Sequence, residues 1–385
     1  MPGALDGVLV ADFSRVLAGP YATMLLADLG ATVVKVERPG SGDDTRGWGP
    51  PFAADGQSTY FQSVNRSKMS IALDLGDPAD AAAARRLADE ADVLIENYRP
   101  GGLSRFGLDF DQTQQRNPGI VYCSISGFGA DAGRDLPGYD LLVQAMGGLM
   151  SITGTNEPTK VGVALVDVLT GLHATVGILA ALHHRQTSGE GQHLEVTLLG
   201  SLQSALVNQV SSVLGAGTIP TFLGNAHPSI APYEVFQTAD RPLVLAVGND
   251  GQFRRLVEVL GIPELADDPV FAVNAARVEH RSELVARIES VLCRESADHW
   301  QALITSAGVP CGPINDVAQG LQLASAIGID PVVEINDARR DQPHRQVANP
   351  VRYSGTPVSY RSAPPHLDED RAAVLDLLAA RAAGQ

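Results

Sequence analysis

The stretch GVLVADFSRVLAGPYATMLLADLGATVVKVERPG, residues 7–40, decides the fold. GVLVADF (7–13) is a short apolar run with β-branched content. YATMLLADLG (21–30) has helical spacing and stops at a glycine. ATVVKVERPG (31–40) is a second strand, closed by Pro-Gly. Strand, helix, strand is a βαβ unit, and it implies a parallel sheet. The pattern continues outward. SKMSIALDL (67–75), DVLIENY (92–98) and GIVYCSISGFG (119–129) read as strands, and DPADAAAARRLADEA (77–91) as a helix capped by Asp77. The expectation is a doubly wound, Rossmann-like α/β fold.

Helical patterns dominate residues 138–222, interrupted by a strand at HLEVTLL (193–199). After the turn residues GAGTIP (215–220) the texture changes. PYEVFQTADRPLVLAVGN (232–249) reads as two strands. GQFRRLVEVLG (251–261), RSELVARIESVLC (281–293) and SADHWQALITSAG (296–308) read as amphipathic helices. This predicts a smaller α+β domain over residues 225–325, and a large domain of residues 1–222 with 326–385. VVEIND (332–337) and PVRYSGTPVSY (350–360) are expected as strands returning to the large domain, and AAVLDLLAARAAG (372–384) as a terminal helix.

The 385 residues are 44% apolar and 19% charged, ample for a folded core. Acidic residues outnumber basic ones 44 to 28, a net charge of −16. That argues against nucleic acid or an anionic membrane surface as partner. An anionic ligand would need basic residues gathered locally. Cys123, Cys293 and Cys311 form no CxxC pair and no disulfide framework. Cys311, between turn residues in GVPCGPIND, reads as a structural thiol, and His183-His184 as a polar helix end. The histidines form no HExxH or close ligand set, so no metal is expected. The segment before the first apolar run is not basic, and residues 161–182 are broken by Asp167, Thr170 and His173. They read as a buried strand and helix, not a membrane span, in a cytoplasmic protein.

The turn after the first strand, SRVLAGP (14–20), lacks the GxGxxG that would let a dinucleotide pyrophosphate approach the backbone. Nicotinamide binding is therefore not expected. ERPGSGDDTRGWG (37–49) carries Arg38, Arg46 and Trp48 directly after a strand. It is either a ligand loop, suited to phosphate and adenine, or a solvated loop with two ion pairs. Asp167 is the only charged residue between Lys160 and Arg185. It is either a helix N-cap, which spacing alone favours, or a carboxylate nucleophile; in both cases helix amides would hold it ionised.

Together these landmarks resemble the CaiB/BaiF family, the class III CoA-transferases. The resemblance is carried by residues 17–46, by NRSKMSIALDL (65–75) and DVLIENYRPGGLSRFGL (92–108), and by SISGFG (124–129). GYDLLVQAMGGLMSITG (138–154), VALVDVLTGLHATVGILAAL (163–182) and GVPCGPIND (308–316) complete it. It implies that Asp167 attacks an acyl-CoA thioester, forming an anhydride and then an aspartyl-CoA thioester. CoA is then substrate, with no permanently bound cofactor. The resemblance also implies an interlocked homodimer. It carries CoA contacts onto Val16, Ala18, Arg38, Leu73, Asn97, Tyr98 and Arg105, with Arg38 at the adenine and Arg105 at phosphate. Tyr139 and Asp140 fall beside the reacting acyl group.

Some positions depart from the formyl-CoA:oxalate branch. Gly76 and Pro137 stand where it has phosphate-binding lysines, and Leu17 where it has glutamine. LGNAHPSIAPY (223–233) replaces its tetraglycine loop, although Trp48 is kept. These departures point away from oxalate and toward small dicarboxylates such as succinate, with Gly224 giving loop mobility and His227 lining the pocket. One alternative is an α-methylacyl-CoA racemase, which pairs the aspartate with a histidine of a GHD-type motif; here the motif is GYD, with Tyr139. Another is a non-catalytic CoA-binding protein.

Overall fold

The computed structural model describes residues 2–383. Gly384, the end of the expected terminal helix, lies outside them. The chain divides into two units. The first comprises Met1–Leu149, Val161–Thr218 and Asp330–Gln385; the second comprises Met150–Lys160 and Ile219–Ile329. Residues 150–160, 219–222 and 326–329 thus fall in the second unit, unlike the expected boundaries. One tie is local: Gly224 N donates to Gly154 O at 2.9 Å.

The first unit is built on β1 (Leu9–Asp12), β2 (Thr32–Glu37), β3 (Lys68–Ala72), β4 (Val93–Glu96), β5 (Val121–Ser126) and β6 (Gln192–Thr197). They form a six-stranded, wholly parallel sheet in the order β3-β2-β1-β4-β5-β6. Its helices are α1 (Ala18–Asp28), α2 (Thr59–Gln62), α3 (Pro78–Glu90), α4 (Phe110–Arg116), α5 (Asp140–Met146), α6 (Leu165–Ser188), α7 (Leu198–Ala205) and α8 (Val207–Ala216). Val10, Val33, Val93, Val121 and Cys123 pack with residues of α1, α6 and α7. Leu9, Ala11, Val34, Leu94 and Tyr122 pack with α3 on the opposite face. Strands buried on both faces read as continuous apolar runs, which is why the sequence signal is strong.

Residues 161–182 are not a strand and a helix. Residues 165–188 form one helix, long and apolar enough to cross a membrane by length and composition. Here Val166, Ala174, Ile178, Ala181 and Leu182 belong to the core under the sheet. Gly171 permits this seating, since a Cβ there would stand 2.6 Å from Ala18 O.

The second unit has an antiparallel sheet of β7 (Tyr233–Phe236), β8 (Leu243–Ala246) and β9 (Cys311–Pro313). Helices α9 (Asp250–Val259), α10 (Asn274–Glu279), α11 (Arg281–Leu292), α12 (Ala297–Ser306) and α13 (Val317–Ala326) follow. Its core gathers Phe236, Phe253, Phe271, Leu284 and Trp300. The chain then returns to the first unit with β10 (Val332–Ile335), β11 (His344–Val347) and α14 (Arg371–Ala383). The expected strand at 350–360 is absent. β10 pairs instead with HRQV, in the register Val332↔Val347. Pro350, Gly355 and Pro357 interrupt the later stretch, and proline cannot donate to a ladder.

Candidate active site

Sheet order reverses between β1 and β4, so the loops at their carboxyl ends flank a topological switch point, where such sheets bind ligands. The loop after β1 is held from both sides. Asn97 Oδ1 accepts from Arg15 N at 2.9 Å, and Asn97 Nδ2 donates to Arg15 O at 2.7 Å. Asp43 accepts from Val16 N at 3.2 Å, and Lys35 Nζ donates to Ser14 O at 2.9 Å. Val16 sits at φ 70, a strained conformation for a β-branched residue. Lys35 and Asp43 pair at 2.9 Å with both side chains fully buried. Burial alone would raise the Asp43 carboxyl, but the Lys35 charge and the Thr45 amide outweigh it and hold it at about 2.

The loop after β4 is fixed by Glu96, whose Oε2 accepts from Tyr98 N at 2.7 Å. Burial lifts Glu96 to about 7 despite its bonds to Ser124 and that amide. The loop after β5 is pinched at its neck. A Cβ on Gly127 would meet Gly138 Cα at 2.4 Å, and one on Gly138 would meet Gly127 Cα at 2.8 Å. Only glycines let these backbones touch, and α5 begins two residues later at Asp140.

Asp140, not Asp167, caps α6. Asp140 Oδ2 accepts from Val166 N at 2.8 Å and from Asp167 N at 3.2 Å. Gln144 Nε2 donates to the other Asp140 oxygen, and Gln144 Oε1 accepts from Val161 N at 2.9 Å. Asp167 lies in the first turn of α6, half-buried, with its carboxylate free of capping duty. Nor do helix amides hold it ionised as expected. Burial, followed by the like charge of Asp140, raises it to about 7. Tyr60 is pushed up to about 12 by burial and then by Asp167, Asp140 and Asp43.

Asp167 opens on a cleft of about 140 Å³ whose lining includes Val16, Leu17, Ala18, Asn97, Tyr98, Tyr139 and Asp140. Eight of the residues singled out from the sequence thus converge, counting Asp167. The others lie elsewhere. Leu73 has its side chain in the core, with its N–H on Glu37 O at 2.8 Å. Arg105 stacks over Phe106, 4.5 Å from the ring centroid. Arg38 is 64% exposed and reaches Asp44 at 3.6 Å. Arg46 is locked to Glu37 by two bonds of 2.7 Å, so both arginines of the 37–49 segment have a carboxylate partner within it. Trp48 packs edge-on against Tyr60, ring centroids 5.2 Å apart, and Tyr60 joins Leu17, Ala164 and Val168 in one apolar cluster. Gly224 and His227 belong to the second unit, where Gly224 has φ 61 and His227 Nδ1 accepts from Ser229 N at 3.1 Å. Among the described residues, no group of three or more His, Cys, Asp or Glu is arranged to hold a metal.

The sequence reading missed Tyr60, Glu96, Gln144 and the Lys35–Asp43 pair. Only Lys35 left a visible signal, a charge inside an otherwise apolar strand, where lysine is almost never buried unless paired.

Of the two forms of Asp167, only the ionised carboxylate is a nucleophile. A rate that depends on Asp167 in that role should rise with pH through an inflection near 7 at low substrate. Asp140→Asn keeps an oxygen to accept from the α6 amides but removes the like charge. We expect its inflection to move down by about half a unit to one unit, in kcat/KM profiles over pH 5 to 9. An unmoved inflection would show that Asp140 does not tune Asp167.

The switch point of this doubly wound fold thus presents a half-buried carboxylate, Asp167, where dinucleotide-binding proteins present a glycine loop. The family model described as CoA-transferase family III matches residues 5–371, and the chain belongs to that family. The resemblance read from the sequence is thereby borne out. The chain is 44% identical to a succinate–glutarate CoA-transferase of Agrobacterium fabrum, covering 96% of this chain and 94% of that protein. It is 40% identical to an acetyl-CoA:oxalate CoA-transferase of Acetobacter aceti, covering 97% and 95%. The crystal structure of a CAIB/BAIF family protein from Brucella suis superposes with a TM-score of 0.88 at 40% identity, covering 98% and 100%. The enzyme is therefore a CoA-transferase, as the sequence reading expected.

Proposed function

We propose that this CoA-transferase exchanges CoA between succinyl-CoA and a small dicarboxylate, with Asp167 as the covalent carrier. The observation that carries the reading is the placement of Asp167, half-buried at the switch-point cleft with its own carboxylate free of capping duty. Its carboxylate oxygen attacks the thioester carbon, the C–S bond breaks, and CoA thiolate leaves an anhydride behind. The thiolate attacks the aspartyl carbonyl and expels the donor acid, leaving an aspartyl-CoA thioester. The acceptor carboxylate attacks that thioester, releasing the thiolate and forming a second anhydride. The thiolate then takes the acyl group and frees Asp167. No water, proton or electron is consumed, so the thioester energy is retained while water is excluded.

The succinate–glutarate relative supports a dicarboxylate acceptor, and the acetyl-CoA:oxalate relative keeps oxalate among the acceptors to be tested. A racemase needs a second acid or base at the α-carbon. No histidine is among the described residues lining the Asp167 cleft, and Tyr139 is 64% exposed. The active form is a homodimer. The helices α8 and α13 bury none of their own side chains, while Val207, Leu214, Val317 and Leu323 stand exposed on them. A second copy would cover them, and sedimentation that shows a stable monomer at all concentrations would overturn this.

Intact-protein mass measurement after mixing with succinyl-CoA, quenched by borohydride or hydroxylamine, should show modification at Asp167. Exchange assays with glutarate, mesaconate and oxalate should rank the acceptors. No adduct, together with deuterium wash-in at the α-carbon of a branched acyl-CoA, would replace transfer by racemisation.

A further inference from the structure

A CoA thioester brings a pyrophosphate and a phosphomonoester to a chain of net charge −16, so binding needs a local concentration of cations. Neither Gly76 nor Pro137 can supply one. Arg38 and Arg105 do not line the Asp167 cleft, since one is turned to Asp44 and the other lies over Phe106. The cleft nonetheless holds three arginines, Arg15, Arg99 and Arg134. They come from three separate loops, at the carboxyl ends of β1, β4 and β5, which are neighbours in the sheet. Three independent backbone segments therefore each bring one arginine to the lining of one opening.

Their hydrogen-bonding capacity is largely uncommitted. Arg99 is exposed, and its guanidinium makes no hydrogen bond or ion pair among the described residues. Arg134 is exposed and gives only a long bond, 3.4 Å, to Pro100 O. Arg15 meets Asp44 at 3.1 Å and lies over the Tyr98 ring at 5.5 Å, while its Nε is buried with no partner. The charges in the cleft are also segregated. The carboxylates Asp140 and Asp167 stand at the head of α6, and the cations Arg99 and Arg134 stand in solvent. An elongated ligand with an electrophilic carbonyl at one end and phosphates at the other matches that polarity. Guanidinium suits phosphate because its planar fork bonds two oxygens at once.

We propose that Arg15, Arg99 and Arg134 form the phosphate clamp of this enzyme, gripping the nucleotide phosphates of the CoA thioester. The proposal rests on the reading of the Asp167 cleft as a CoA-thioester site. Its test compares succinyl-CoA with succinyl-pantetheine, which has the same thioester and no nucleotide phosphates. In Arg99→Gln/Arg134→Gln, KM for succinyl-CoA should rise about 100-fold, about tenfold for each guanidinium–phosphate bond removed. Its kcat should stay within about twofold, and KM for succinyl-pantetheine should not move, because remote interactions made equally in ground and transition state affect KM alone. Arg15→Gln should raise KM for succinyl-CoA in the same selective way. Arg99→Lys/Arg134→Lys should recover part of the affinity, and raising salt should weaken the wild type more than the glutamine variant. An unchanged KM for succinyl-CoA, or an equal rise with both thioesters, would overturn the clamp while leaving the transferase reading intact. A wild type that turns over neither thioester would instead overturn the reading beneath it.

Discussion

Asp167→Asn is expected to abolish CoA transfer, by at least about 10³-fold in kcat, while leaving the affinity for the thioester close to that of the wild type. Asparagine fits the same space at the head of α6 and leaves the Asp140 cap in place, since that cap uses backbone amides. The same variant should be more stable than the wild type at alkaline pH. Burial and the Asp140 charge raise Asp167 from 3.8 to about 7, so the folded protein holds its proton more tightly than the unfolded chain. Stability from that proton is fully present below pH 3.8 and is lost as pH rises through 7. Asparagine carries no such dependence. The gap should open between pH 4 and 7 and level off above, at about 2–4 kcal/mol, from about 1.4 kcal/mol per pH unit and with allowance for partial exposure to the cleft. Denaturant midpoints at pH 5 and pH 9 would measure it. Equal stability of the two proteins at pH 9 would mean that Asp167 is solvated and ordinary.

Lys35→Met should unfold the enzyme more readily than any surface change. Lys35 and Asp43 are fully buried, and removing one partner strands the other charge in the core, which costs about 3–5 kcal/mol. Asp43 also accepts from Val16 N, Thr45 N and Thr45 Oγ1, so its protonation or displacement would release the strained Val16 turn. KM for the thioester should rise along with the loss of stability. The double variant Lys35→Met/Asp43→Leu should regain much of the stability and little of the affinity, because two apolar groups can pack but cannot hold the turn. Asp43 is held at about 2, so this contribution is present above pH 3.8 and is lost as pH falls through 2. Chemical denaturation of the three proteins at pH 7 tests the prediction, and a penalty for Lys35→Met below about 1 kcal/mol would refute it.

The parallel sheet was legible because β1 to β5 are short apolar runs separated by turn residues, and Asp77 marked the start of α3 with the cap the structure shows. Asp167 was legible as an isolated charge. Its true neighbour was not: Asp140 reaches the head of α6 across 26 positions of sequence, a relation that no local spacing encodes. PVRYSGTPVSY misled because it has strand-like residues, while pairing depends on a partner edge that the return through β10 and β11 had already used. The two arginines of residues 37–49 have identical local credentials. One is largely buried in an ion pair with Glu37, and the other is exposed in a looser pair with Asp44, a difference that no local spacing encodes.

The touching glycines at positions 127 and 138 have one more implication. A loop whose two ends coincide is a detachable cassette: its length and side chains can be exchanged without altering where the chain leaves β5 or re-enters at Asp140. The rim that carries Arg134 can therefore diversify independently of the two carboxylates. Grafting this segment between relatives should transplant ligand preference as a module, with the reaction centre left untouched.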